Sequence, residues 1–297
     1  MTSDFQKLIH QRLSGFDPSY IGRDFTSVIK GNITPVPFFG DFRNSSIVTI
    51  AINPSTEEFS RSTPTPLEDS LRKPMRSTVR KIDRGLVHLS DLGLSQNFFH
   101  EKLRINNSED INTILQGLIE YFDRGSYNAK WFGKVEPVLN NAFSASYFSS
   151  TMTKRACHLD ISPWTTLKWS STEVQKFRNE LREENQAFFR AFLSEPQFEY
   201  LIILGGDTRK ILDKNPDISF DKEHEFVIPK TGPTFEIGWI QISKSMKKRF
   251  FYNSFSPSAG QSVQSVLKTT DQEKSTNEGF EDINRMFIEF IRDNISD

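Results

Sequence analysis

Cysteine is nearly absent from the chain: Cys157 stands alone among 297 residues. One thiol closes no internal disulfide and builds no Cys-rich zinc site. A reducing, cytoplasmic setting is the natural reading. Long apolar runs are missing as well. No stretch approaches the roughly 18 apolar residues of a membrane span, and the opening MTSDFQKLIHQRLSGF lacks the apolar core of a signal peptide. Neither sign of charge is in excess. The 37 Lys and Arg against 38 Asp and Glu leave a net charge of -1, which removes the crude argument for a nucleic-acid partner but not a local one. No internal repeat and no long linker interrupts the chain. It reads as one domain over residues 1–297, with an N-terminal helical extension and a C-terminal helix, and as a monomer.

Phenylalanine is what the chain has in quantity. The 27 Phe, with 6 Tyr and 4 Trp, exclude disorder of the whole chain and supply a large core. Three short apolar runs read as buried strands: IVTIAI (47–52), RACHLDI (155–161) and EYLIILGG (199–206). FEIGWIQI and RFFYNSF add further strands within 223–254. Helical periodicity predicts helices over 3–14, 78–94, 108–122, 131–141, 171–193 and 277–293, with another at DTRKIL. Ser170 and Glu173 fit a capping box, and Glu195-Pro196 stops the helix before it. Residues 31–42 read as loop. Alternating strands and helices predict an α/β fold, a three-layer α/β/α sandwich on a mainly parallel sheet. Ligands of such sheets bind beyond the carboxyl ends of the strands. Three strands here end in distinctive polar turns: INPS, LDISPW and SFSPSAG.

Those turns carry a resemblance. Ala51-Ile52-Asn53-Pro54-Ser55 is similar to the first motif of the uracil-DNA glycosylase superfamily, G-x-N-P-G or G-Q-D-P-Y. Ser256-Pro257-Ser258 resembles its late H-P-S or N-P-S loop. His158-Leu159-Asp160-Ile161-Ser162-Pro163-Trp164 falls where that family has a base-recognition strand ending like N-H-C-P-L, and LIILGGDTRKIL resembles the next strand and helix. The matches run in order from about Pro35 to Gln261. The resemblance implies a uracil-DNA glycosylase-like fold and an enzyme that flips a base out of duplex DNA and hydrolyses its N-glycosidic bond. It implies neither metal nor cofactor. No Lys stands at a motif position to form a Schiff base, so the implied activity is monofunctional and leaves an abasic site.

On that resemblance Asn53 holds the attacking water; the bland alternative is an Asx turn closing the strand. Asp160 replaces the family's base-reading Asn. A carboxylate accepts from an exocyclic amine such as cytosine N4, and a protonated one donates to N3. The implied substrate is cytosine or a modified cytosine, including glucosylated hydroxymethylcytosine of phage DNA, in a role of antiviral defence. The alternatives are a strand-end carboxylate capping a loop, a uracil-repair enzyme, and a module that binds DNA or a modified base without cleavage. His158 shares a strand face with Asp160 and either supports it or is a satisfied core histidine. Ser256 replaces the family's frequent His, so Ser256, Ser258 or backbone N–H groups have to supply the donors. Phe59, Tyr127, Trp131, Phe132 and Trp164 are candidates to stack on the base, although aromatics are core by default.

Phosphate contacts fall to Ser55, Ser258 and Gln261 and to two basic segments. Arg61, Arg72, Lys73, Arg76, Arg80, Lys81 and Arg84 outnumber Glu68, Asp69 and Asp83, and Lys244, Lys247, Lys248 and Arg249 form the second group. Residues 269–297 are acidic by contrast. Such segregation suits a DNA-facing side, with solvated loops as the alternative. A different α/β hydrolase is disfavoured, since no G-x-S-x-G, H-E-x-x-H or P-loop pattern occurs.

Overall fold

The computed structural model describes residues 3–15, 29, 33–59, 86–94, 98, 104–124, 127, 131–148, 152–166, 169, 171–228, 233–257 and 276–295. Arg76, Ser258, Gln261 and the whole 61–84 basic segment lie outside these residues.

The β-branched run from Ile47 forms the centre of a sheet. β1 (Phe38–Phe39), β2 (Ser45–Ala51), β3 (Ala145–Ser146), β4 (Lys154–Asp160), β5 (Tyr200–Leu204), β6 (Ser219–Val227), β7 (Thr234–Ser243) and β8 (Met246–Asn253) make one eight-stranded sheet. Its order is β1-β4-β2-β5-β8-β7-β6, with β3 also paired to β4. β4, β2, β5 and β8 run parallel to one another. β1 is antiparallel to β4, and β7 and β6 extend the other side antiparallel. The expectation of a mainly parallel sheet therefore holds for its centre, while the β6-β7-β8 meander makes the whole sheet mixed. Residues 31–42 are not all loop: the two residues of β1 add an edge strand. β6 is the opposite edge, and its Asp221, Lys222, Glu223 and Glu225 point exposed charge at would-be partners.

Successive strand residues face opposite sides, and Phe38 and Phe39 show what covers each. Phe38 packs on Phe188 and Phe192 of α6 (Gln186–Leu193). Phe39 packs on Phe132 of α3 (Phe132–Phe143). α1 (Ser3–Leu13) joins the first face through Phe5 against Phe188 and Phe192. On the same side α7 (Gly206–Asp213) sends Arg209 over Phe220 and Phe250. α8 (Thr276–Asn294) joins the second, with Phe287 on Phe235. Helices thus cover both faces, as the α/β/α reading expects. α2 (Ser108–Ile119) flanks β1.

Two expected helices differ. Of the helix expected over 78–94, residues 78–85 lie outside the described residues, and 86–94 hold a short 3-10 turn, Leu89–Leu92. The helix expected over 171–193 is three pieces: α4 (Thr172–Gln175), α5 (Arg178–Glu184) and α6. Its cap is Ser171, which accepts from Val174 N, rather than Ser170. The break at Asn185 has a tertiary cause. That side chain is wholly buried and donates to the carbonyls of Asp160 (3.4 Å) and Ile161 (2.9 Å) at the carboxyl end of β4.

Candidate functional site

The four parallel strands end on one row. Ala51 pairs with Asp160, Ile50 with Ile203, and Leu204 with Asn253. Backbone bonds then carry the ladder past the strand ends: Ile161 N to Ala51 O, Ser162 N to Ile52 O, Gly205 N to Asn253 O and Gly206 N to Ser254 O. The three polar turns come together at this edge. Asn53 after β2 and Ser256 after β8, more than 200 positions apart in sequence, share this margin with β5 between them, two strand spacings of about 4.8 Å apart.

Asp160 is wholly buried, and neither carboxylate oxygen accepts a hydrogen bond among the described residues. His158 Nε2 lies 3.3 Å from Oδ1. Burial raises the Asp160 carboxyl above the ordinary carboxylate range, and the nearby His158 opposes that rise. The histidine is itself held. Its Nδ1 is 2.9 Å from Thr49 Oγ1, which is 2.6 Å from the Tyr147 hydroxyl and donates to Cys157 O at 3.3 Å. Thr49 and His158 are register partners on adjacent strands, so the link is direct across the sheet. Burial pushes the Tyr147 phenol well above its usual value, against the Thr49 bond; it stays a neutral hydroxyl. Burial likewise raises the Cys157 thiol, which makes it inert.

An aromatic box surrounds the imidazole. Trp131 meets it at 4.6 Å and 64°, Phe132 at 5.3 Å and 82°, and Phe39 at 6.0 Å. Trp131 and Phe132 begin α3, so the amino end of that helix is seated over His158. Trp131 is half-buried and keeps an accessible part of its ring. Tyr127, also half-buried, packs on Phe148 at 4.5 Å. Phe59 is buried edge-on to His88 at 5.5 Å.

Asn53 is half-buried just past β2. Its amide nitrogen donates to Pro54 O and to Thr166 Oγ1, both at 3.2 Å. No hydrogen bond among the described residues uses its Oδ1. Ser55 is exposed, and its carbonyl accepts from Glu58 N. Ser256 is half-buried and packs against Gly205, where a Cβ would lie 3.1 Å from its own. Gly205 has φ of +95°, open to glycine at little cost. Lys134 ties the late turn down by donating to Pro257 O at 2.9 Å, with its ammonium over Phe280; burial lowers its pKa.

Three expectations are corrected. Trp164 has no exposed ring to stack on a base: it is wholly buried, and its Nε1 donates to Glu184 Oε2 at 3.3 Å. Lys248 is buried and donates to Glu195 O (2.9 Å) and Phe198 O (2.7 Å). Lys247 is exposed beside Asp221. Both lysines sit at the amino end of β8. About five residues at roughly 3.3 Å each separate that end from the carboxyl row, so neither contacts a phosphate there.

Thr49, Tyr147, Trp131 over His158, and Asn185 complete the site without having been singled out as a set. A lone Thr within IVTIAI was the available signal: a hydroxyl in a strand buried on both faces has to find a partner.

The fold and this edge define a mixed α/β protein with polar residues gathered at its strand ends. No protein-family model, no curated protein and no solved structure matches the chain. Among the described residues no helix is long and apolar enough to cross a membrane, and no group of three or more His, Cys, Asp and Glu could hold a metal ion.

Proposed function

We propose that the chain is a monofunctional DNA glycosylase on a uracil-DNA glycosylase-like fold, acting on a flipped cytosine-type base. One observation carries the reading: a buried carboxylate, Asp160, with His158 Nε2 3.3 Å from Oδ1 and no hydrogen bond to Oδ2 among the described residues, is paired across the sheet with the residue two before Asn53. Asp160 is as buried as Trp164, so a base reaches it only when the side chains covering it part; the carboxylate is then a selective acceptor. An exocyclic amine satisfies it, whereas the O4 of uracil sets acceptor against acceptor.

The chemistry follows from these parts. The C1′–N bond breaks with its electron pair leaving on the base, and the sugar gains oxocarbenium character. Asn53 Oδ1 accepts from a water and orients it towards C1′. The water oxygen bonds to C1′, its lost proton passes to solvent, and the departing base takes up a proton. The products are an abasic sugar and a free base. His158, fixed through Thr49, sets the charge that Asp160 presents. Trp131 is the aromatic best placed to flank an incoming ring. A modified cytosine, including a glucosylated hydroxymethylcytosine, remains the preferred substrate, and phage defence the role that would use it. Uracil repair is the competing substrate assignment.

A second reading is a base-recognition module that does not cleave. The observation favouring it is Ser256 at the late turn, where the resembling family often has a His. One assay separates the readings. Duplexes carrying uracil, cytosine, 5-hydroxymethylcytosine or its glucosylated form are incubated with the protein and then treated with alkali. Breaks that need alkali and vanish with Asn53→Ala support excision. Tight binding without any alkali-labile site supports the module and sinks the glycosylase.

A further inference from the structure

A cleft of about 130 Å³ lies between α5 and α7. Arg178 and Arg182 line one wall and Lys210 and Lys214 the other. Each pair is spaced i,i+4: Arg178 and Arg182 share a face of α5, and Lys214 caps the carboxyl end of α7 one turn beyond Lys210. Like charges in that spacing oppose helix formation slightly, and no structural gain is evident for repeating the arrangement on two facing helices. Two of the four cations have acidic partners: Asp207 sits 3.8 Å from Lys210, and Glu183, which does not line the cleft, is 3.2 Å from Arg182. Lys214 has no ion pair among the described residues.

The floor is built rather than incidental. Arg178 Nε donates to Trp169 O at 3.0 Å, and its guanidinium lies 5.6 Å from the Trp169 ring, which fixes that charge in place. Trp169 also lines the cleft. It is nine-tenths buried, yet its indole N–H has no acceptor among the described residues. An indole nitrogen only donates, so what it lacks is an acceptor. Four cations and one acid around one small cavity, with an indole donor that lacks an acceptor in a lining residue, call for an anion with several oxygens.

We propose that this cleft binds a phosphate group of the nucleic-acid backbone, beside the base site. Choosing a phosphodiester over free phosphate rests on the glycosylase reading. Trp169 and Trp164 form a small core with which Ile52 and Ile211 pack, and Ile52 immediately precedes Asn53. Asn53 in turn bonds Thr166, three residues before Trp169 in the sequence. A strand whose base enters at Asn53 runs its flanking phosphates past Trp169. Arg forks and Lys ammoniums then meet the phosphate oxygens with charge-assisted bonds.

The test uses the full chain and a duplex of ordinary bases that offers nothing to excise. Affinity is measured over a salt series for the parent, for the Arg182→Gln/Lys214→Gln pair, and for Arg190→Gln, a control outside the cleft. The paired variant should bind at least about tenfold more weakly and lose about 1 from the slope of log K against log salt, near 0.9 for the one phosphate held. Arg190→Gln and the thermal midpoints should not change. Unaltered affinity and slope in the paired variant overturn the proposal. A third arm titrates inorganic phosphate. Loss of phosphate binding with duplex affinity intact would make the cleft a free-phosphate site and overturn the nucleic-acid assignment. Excision is not read in this assay, so a failed glycosylase reading and a failed cleft are told apart.

Discussion

His158 Nε2 stands 3.3 Å from Asp160 Oδ1, with both side chains buried at the carboxyl end of β4. The folded Asp160 carboxyl titrates above its unfolded value. Its contribution to stability is therefore full below the unfolded pKa of about 3.9 and is lost as pH rises through the raised folded value. Asp160→Asn removes that limb. Thermal midpoints against pH should fall less steeply above pH ~4 in the variant than in the parent. Superimposable curves would place the carboxyl in a solvated setting. The same substitution should move excision towards uracil.

Thr49→Val keeps the shape and removes the hydroxyl that both Tyr147 and His158 use. Leaving two buried polar groups unpartnered should cost about 1–3 kcal/mol in urea unfolding. In excision assays kcat should drop while KM for the duplex holds, because the imidazole loses its orientation and the binding surface does not change. An unchanged kcat would assign Thr49 to packing alone.

Arg12 anchors α1 by pairing with Glu184 at 2.5 Å, and its guanidinium lies 5.8 Å from the Trp164 ring. Arg12→Ala leaves the buried Glu184 carboxylate without that guanidinium and should cost about 3–5 kcal/mol. Combining Arg12→Met with Glu184→Gln should recover much of the loss. A double variant no better than the single would show that α1 is held by its apolar face and not by this pair.

Gly205→Ala asks an L side chain to adopt φ +95° and to sit 3.1 Å from Ser256 Cβ. Backbone strain of about 1–3 kcal/mol is expected, with the late turn displaced. Stability and excision should fall together. Loss of stability with full activity would remove Ser256 from the site.

Lys248→Met should lower stability, because two carbonyls lose their donor, yet leave duplex affinity and its salt slope as they were. A fall in the slope would restore Lys248 as a phosphate contact.

Apolar strands were legible because a run such as Ile47 to Ile52 can satisfy its burial in few ways. The same local logic found α1, α2, α3, α7 and α8 to within a few residues. It failed where distant parts decide. β1 is two residues long and exists because Phe38 and Phe39 find Leu159 and His158. The 171–193 helix breaks because Asn185 is needed at the end of β4. At the site, Asn53, Asp160 and Ser256 were found as strand-end polar residues and do share one edge. Trp164 was misread because LDISPW looks like an exposed turn, and nothing local reveals the Glu184 carboxylate that takes its indole. Lys247 and Lys248 were misread because charge clustering does not say which end of a strand it occupies.

The tie between Arg12 and Glu184 spans 172 residues of chain. At roughly 5–20 residues per second of synthesis, α1 leaves the ribosome about 9–34 seconds before its carboxylate exists. For that interval its apolar face, including Phe5 and Ile9, has neither α6 nor a completed sheet to cover it. The docking of α1 therefore waits for α5 and α6, which lie far along the chain from it.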